Sequence, residues 1–266
     1  MSSVVSSHDL SLLSWNILAP CWILKEWYPS MYDLAADNRT RLELVISHIK
    51  TLAHDIVFIQ EAQEDQLDLF KEKLSNDYYY EYISNNPTPC SAANGLLTLI
   101  RKNYLYASEI KITNGILDLQ RGEAIQIITI PSKNLYLLNI HLDYNHRLDQ
   151  SKMIFERCKT LIGEEHSIAL MAGDINAEIQ DQIEFQWTGF DHVFHESSKH
   201  AKIPTYYSDP QYIWPNMVID HILYDTNQLE LMEHGKAWDT HDRTLEESLK
   251  KFGSDHIYIW ATFRFR

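Results

Sequence analysis

The residues most able to do chemistry stand where apolar runs stop. Ile168 to Ala172 is an unbroken apolar run, and it ends in Gly173, Asp174, Ile175 and Asn176. Such a run, closed by a turn residue, reads as a strand buried on both faces. With a side-chain period of two, Asp174 and Asn176 leave it on the same side, while Gly173 permits a bend or a close approach by another group. A carboxylate beside an amide donor can take a proton from water while hydrogen-bonding a phosphoryl or carbonyl oxygen. Taken alone, the same residues also describe an Asx turn closing a strand.

Other strand ends repeat the pattern. Ile56 to Ile59 runs into Gln60 and Glu61, Leu135 to Ile140 delivers His141, and the first apolar segment carries Trp15 and Asn16. Ser254, Asp255 and His256 open the last strand, and Asp220 and His221 lie within another. Gathered on one edge, these would supply several carboxylates, two amides and two histidines. Oxygen donors with few carboxylates suit magnesium, which also leans on substrate phosphate. Zinc would want paired cysteines or His-x-x-x-His, and neither spacing occurs. Singly, each residue has an ordinary alternative: Glu61 as a helix cap, His141 and His256 as satisfied core histidines, Asp220 and His221 as a buried polar pair.

The elements that must position them follow from periodicity. Strands are expected over 10–18, 55–60, 78–83, 95–100, 104–112, 124–130, 135–140 and 217–224. A half-buried terminal strand is expected over 256–266, where apolar and polar residues alternate. Leu229 to Met232 is expected to extend the sheet of the 217–224 strand. Apolar residues at helical spacing predict helices over 38–53, 63–76 and 147–162. Pro87, Pro89, Pro131 and the pair Asn114 and Gly115 read as breaks between strands. Residues 19–32, with Trp22, Trp27 and Tyr28, read as an aromatic loop, residues 180–216 as irregular, and 233–253 as loop plus a short helix. No repeat, linker or boundary divides the 266 residues, so a single domain spans 1–266, with 1–9 expected to be flexible.

Composition bounds the function. The net charge of -14, from 23 basic and 37 acidic residues, disfavours nonspecific adhesion to nucleic acid or anionic membrane, yet leaves open a polyanionic substrate met by a metal ion. Cys21, Cys90 and Cys158 are too few and too far apart for a disulfide framework or a cysteine zinc site, and reduced thiols point to the cytoplasm or another intracellular compartment. The polar, Ser-rich start predicts no signal peptide, and no apolar run approaches the roughly 20 residues of a membrane span.

Six motifs taken together resemble the magnesium-dependent endonuclease/exonuclease/phosphatase superfamily. In order they are Leu12 to Asn16, Asp55 to Glu61, Leu138 to Leu142, Ala172 to Asn176, Val218 to Ile222 and Ser254 to His256. Each is weak alone, but six in order across residues 12 to 256 are specific. The resemblance implies an α/β fold, a four-layer αββα sandwich of two packed mixed sheets with outer helices. It implies Mg²⁺, with Mn²⁺ able to substitute, held by Glu61, with Asn16 bonding metal-bound water or phosphate and Asp255 as an indirect or direct metal group. Asp174 would orient or deprotonate the attacking water, and Asn176 would hold a phosphoryl oxygen. His141 and His256 would meet the phosphate's developing charge, with Asp220 orienting His256.

Within the superfamily, abasic-site endonucleases and tyrosyl-DNA phosphodiesterases carry an aspartate two positions after the first-strand asparagine, where this chain has Leu18. Trp15 to Pro20, with Asn38 to Leu42 and Gln60-Glu61, looks more like the poly(A) deadenylases and nocturnin-like enzymes. The expectation is a phosphodiesterase acting on a nucleotide or a single-stranded nucleic-acid end, with Tyr206, Trp214 and Arg147 as substrate contacts and Lys199 and Lys202 as further basic candidates. Aromatic side chains there could stack on bases. The alternatives are a sphingomyelinase- or inositol-phosphate-type phosphoesterase, for which Trp22, Trp27 and Trp214 could form an apolar rim, a tyrosyl-DNA phosphodiesterase-like repair enzyme, and a catalytically dead binding module.

Overall fold

The computed structural model describes residues 9–85, 93–178, 189–194 and 200–266. Cys90, Lys199, Pro87, Pro89 and most of the expected flexible start lie outside the described residues. Twelve described strands form two six-stranded mixed sheets. The first sheet has the order β11 (Leu229–Lys236), β12 (Ile259–Phe265), β1 (Leu10–Asn16), β2 (Ile56–Ala62), β4 (Gly95–Arg101), β3 (Tyr78–Ser84). The second runs β5 (Lys111–Ile116), β6 (Ala124–Ile130), β7 (Leu135–His141), β8 (Leu170–Asp174), β10 (Asp220–Asp225), β9 (Phe190–His192).

The parallel pairs, β1 with β2 and β7 with β8, need crossovers, and helices supply them. Between β1 and β2 run the short α1 (Tyr32–Ala35) and α2 (Asn38–Leu52). Between β7 and β8 runs α4 (Arg147–Ile162). Together with α3 (Leu67–Leu74) and α5 (Leu245–Phe252), they cover the outer faces. Alternation assigns each strand residue to a layer. Leu13, Trp15, Val57 and Ile59 pack outward with Val45, Ile49, Phe70 and Leu249. Ile125, Leu138 and Met171 meet Ile154 and Cys158 of α4. Leu10, Leu12, Ile56, Phe58, Leu137, Leu170, Ala172 and Ile222 fill the space between the sheets. The expected four-layer sandwich is the observed one. Among the described residues no helix is long and apolar enough to cross a membrane.

Between the sheets, apolar residues give way to a polar tier. Gln60 Nε2 donates to Asn139 Oδ1 at 2.8 Å, while Thr98 Oγ1 (2.9 Å) and Asn139 Nδ2 (3.3 Å) donate to Gln126 Oε1. All four side chains are fully buried, and each bond offsets part of the desolvation that burial imposes. One step further along the same inward-facing parity stand Asn16, His141, Asp174 and Asp220. The functional edge is therefore the polar end of the intersheet layer.

Several sequence expectations fail for identifiable reasons. Residues 102–109 turn rather than continue a strand over 104–112, and the strand begins at Lys111. Asn114 and Gly115 lie inside β5 instead of breaking it: Asn114 Oδ1 accepts from Gln126 Nε2 at 3.0 Å, and a Cβ on Gly115 would stand 2.7 Å from Leu161 Cδ1. A packing need selected these residues, where the dipeptide alone signals a turn. The 217–224 strand starts only at Asp220, because Met217 pairs with Tyr206 instead. Leu229 to Met232 does not extend that sheet. After β10 the chain crosses the sandwich, and β11 pairs with β12 in the opposite sheet.

Candidate active site

Strand direction collects the polar ends. β1, β2, β7 and β8 finish at one edge with Asn16, Glu61, His141 and Asp174. β10 is antiparallel to β8, so its first residue, Asp220, pairs with Asp174. β12 is antiparallel to β1, so His256, just before it, arrives at the same edge. Two of these residues needed more than pairing. Strict alternation would turn Glu61 outward with Val57 and Ile59. A bulge between Gln60 and Ala62, with Glu61 at φ 63°, redirects it. Gly173, with φ 152°, lies so close to β7 that a Cβ would sit 1.8 Å from the Ile140 carbonyl oxygen, which is the close approach its presence suggested. Leu18 (φ 58°) and Asn176 (φ 52°) are also left-handed, and such backbone at non-glycine residues concentrates where geometry serves function.

Asn16 is the hub. Its Nδ2 donates to Glu61 Oε1 at 2.8 Å and to Asp174 Oδ2 at 3.0 Å, and its Oδ1 accepts from the Leu18 amide at 3.0 Å. Glu61 Oε2 accepts from the Ala19 amide at 2.7 Å, and Asp174 Oδ1 from the Asn176 amide at 2.8 Å. His141 Nε2 stands 3.6 Å from Asp174 Oδ2, 3.9 Å from Glu61 Oε1 and 3.3 Å from Asn176 Nδ2. His256 points Nδ1 at Asp220 Oδ2 (2.8 Å) and Nε2 at Asp174 Oδ2 (3.8 Å). Asp255 Oδ2 accepts from the Tyr28 hydroxyl at 2.7 Å, beside the cluster rather than at its centre.

Burial and proximity set the charges. Burial, with Asp220 adding to it, pushes the Asp174 carboxyl up to about 6. Burial works against a charged His256, but Asp220, then Asp255 and Asp174, outweigh it and hold the imidazole well above its usual range. Burial also raises Asp255, opposed by His256. A divalent cation fits this set. Ligand atoms of Glu61, His141 and Asp174 lie within 4.8 Å of one another, as do those of Asp174, Asp220 and His256. Asp220 Oδ1 is buried with no hydrogen-bond partner among the described residues. Crowded, desolvated carboxylates are the condition a cation relieves.

The cluster opens into a cavity of about 370 Å³. Tyr206, whose ring is 5.2 Å from that of His256, and Trp214 line it. Trp214 packs on Tyr144 at 4.5 Å, and Arg147 stacks on the far partner of that pair, 4.9 Å from the Tyr144 ring centroid, without lining the cavity itself. The stacked pair Trp22 and Trp27 (5.7 Å) forms another part of the wall.

Sequence reading missed several supports. Thr205 Oγ1 accepts from the Ile219 and Asp220 amides, both at 3.0 Å. His221 bonds the Ala177 carbonyl (2.8 Å) and His192 (2.7 Å), so it braces the Asp174 to Asn176 turn from behind. Arg41, 3% exposed, donates to the carbonyls of Ile17, Leu18, Ala35 and Gly253 and to Asn38 Oδ1. It thereby ties the turn after Asn16 to the segment leading into Asp255 and His256. A lone arginine on a helix carries no signal of such a role. Arg41→Met is expected to lower unfolding free energy by about 3–5 kcal/mol. Arg41→Lys should recover only part, since an ammonium cannot span the same carbonyls. Urea unfolding within about 1 kcal/mol of wild type for Arg41→Met would refute the tie.

The sequence profile described as the Endonuclease/Exonuclease/phosphatase family matches residues 13–256. Solved structures share the fold. ANGEL2, described as a 2',3'-cyclic phosphatase, superposes with TM-score 0.72 at 15% identity, covering 96% of this chain and 95% of its own. D. rerio TDP2 complexed with single strand DNA product gives 0.66 at 18%, covering 96% and 98%. The human Nocturnin catalytic domain with bound sulfate anion gives 0.65 at 17%, covering 97% and 94%. No curated protein sequence matches.

Proposed function

The chain belongs to the endonuclease/exonuclease/phosphatase family, and from that premise we propose that it is a magnesium-dependent phosphodiesterase that hydrolyses a nucleotide or the end of a single-stranded nucleic acid. The observation that carries this is the network of buried Asn16, Glu61, Asp174, Asp220 and His256 with half-buried His141 at the floor of an aromatic-walled cavity. ANGEL2, described as a 2',3'-cyclic phosphatase, and TDP2, described with a single strand DNA product, support the choice of substrate class.

Each residue has a task its surroundings favour. Glu61, held by the Asn16 and Ala19 amides, would ligate the ion, with Asp174 and His141 beside it. Mg²⁺ when bound, or Mn²⁺ in its place, supplies positive charge against the phosphoryl oxygens. Asp174 takes the proton of the attacking water, a role suited to a carboxyl whose affinity for protons is raised. Asn176 offers an amide donor to a phosphoryl oxygen. His256, kept charged and aimed by Asp220, places Nε2–H toward the negative charge that builds in the transition state, and His141 flanks it. Asp255, bound by Tyr28, supports His256 electrostatically. Tyr206 and Trp214 offer faces on which a base can stack, worth about 1–3 kcal/mol per base. Arg147 acts through Tyr144 by steadying that wall.

A substrate panel tests the reading. With Mg²⁺, oligo(A) or dinucleotides should be cleaved faster than sphingomyelin or inositol phosphates, and EDTA should stop turnover. The reverse ranking would transfer the assignment to the lipid or inositol phosphoesterases, and a 5'-tyrosyl-DNA end as the preferred substrate would transfer it to the repair enzymes.

A further inference from the structure

Beyond the catalytic network, the cavity has a second polar wall that the proposed reaction does not use. Strand order places it. β4 and β3 follow β2 in one sheet, and β6 and β5 follow β7 in the other, so the ends of these strands lie past Glu61 and His141, away from Asp220 and His256. Asn94 precedes β4 and therefore neighbours Ala62 through its paired Gly95. Glu123 precedes β6, next to the Ile125–Ile140 pair that leads to His141. Asn85 closes the gap between the sheets, its Oδ1 accepting from the Ala124 amide at 2.9 Å. All three line the cavity.

The wall is built rather than incidental. The backbone donor fixes Asn85's flip, so its Nδ2 donates to Asn94 Oδ1 (3.2 Å). Glu123 is only 8% exposed, and Gln150, fully buried on α4, donates to its Oε2 at 2.9 Å. Gln150 in turn accepts the Asp143 amide (2.8 Å), which couples Glu123 to the loop after His141. Glu123 Oε1 has no hydrogen bond from another described residue. None of the described residues lining the cavity is Lys or Arg, and Asp143 stands nearby, so this end offers no basic side chain to an anionic group. Burial, followed by Asp143 and Asp118, pushes the Glu123 carboxyl up to about 7.

We infer that Glu123, framed by Asn85 and Asn94, is a specificity residue that accepts a hydrogen bond from a hydroxyl or amino group on the uncharged part of the substrate adjoining the scissile phosphate. The inference rests on the nucleotide reading above.

Matched dinucleotides test it: ribose against 2'-deoxyribose for the hydroxyl source, and adenine against hypoxanthine for the amino source. For the pair that carries the donor, wild type should favour the donor-bearing member by about 10- to 100-fold in kcat/KM. Glu123→Ala should bring that ratio to within about threefold, chiefly through KM, and Glu123→Gln, which keeps an accepting oxygen, should retain part of it. Thermal melting establishes that both variants are folded, and a variant that melts early is read against Gln150→Ala, which frees Glu123 and should halve the preference or more. Active wild type whose ratios are unchanged in Glu123→Ala overturns this inference alone. Wild type that hydrolyses no nucleotide overturns the substrate reading and this inference with it.

Discussion

Asp174→Asn is expected to lower kcat by about 10²- to 10⁴-fold, the usual contribution of a positioned general base, while leaving the protein folded. The carboxylate sits between the Asn176 amide at 2.8 Å and the Asn16 amide at 3.0 Å, with His141 and His256 within 3.6 and 3.8 Å. Asparagine fills the same volume but cannot accept the proton, and its amide meets Asn16 donor to donor. Single-turnover rates on a dinucleotide, with circular dichroism as the folding control, measure the effect. A rate within a few-fold of wild type would remove Asp174 from the mechanism.

The second large effect concerns the ion, and it can be read without turnover. Mg²⁺ at about 100 times its dissociation constant should stabilise the wild-type protein by about 2.7 kcal/mol, a rise of several degrees in Tm. Glu61→Gln should lose most of that rise together with EDTA-sensitive activity, because a neutral amide replaces the carboxylate that Asn16 and the Ala19 amide hold in place. The rise should also depend on pH. Asp174 is pushed up to about 6 by burial and Asp220, so below that pH it carries a proton that competes with the cation. The Mg²⁺-induced shift should therefore shrink as pH falls through about 6 and be full above 7. An equal Mg²⁺ shift in Glu61→Gln would refute Glu61 as the principal ligand.

Both effects depend on Asn16, and here the structure refines the reading of the sequence. Its Oδ1 is already bound to the Leu18 amide, and its Nδ2 bridges the two carboxylates. In the proposed reaction its part is thus to set the separation of Glu61 and Asp174. Asp255, engaged by Tyr28, similarly stands beside the ligand atoms that come within 4.8 Å of one another.

The sequence by itself determined most of the elements and the chemistry of their ends. Alternation in 124–130 and 135–140, the helical spacing over Arg147–Ile162 and the polar residue closing each apolar run are local properties, so they survive without knowledge of partners. The order of six motifs was equally legible, and with it the four-layer fold. Only the tertiary structure decided the rest, because it arises from pairing between distant segments. Parallel pairing of β1 with β2 and β7 with β8, with β10 and β12 reversed, decides that these polar ends share one edge. The bulge at Glu61 overrides the alternation that would have turned it outward. Asn114 and Gly115 continue a strand because Gln126 and Leu161 wait across from them. Arg41 and Glu123 acquire their roles from carbonyls and amides supplied by other elements. Local spacing encodes which side chain a strand end presents, whereas the charge, orientation and company of that side chain belong to contacts across the fold.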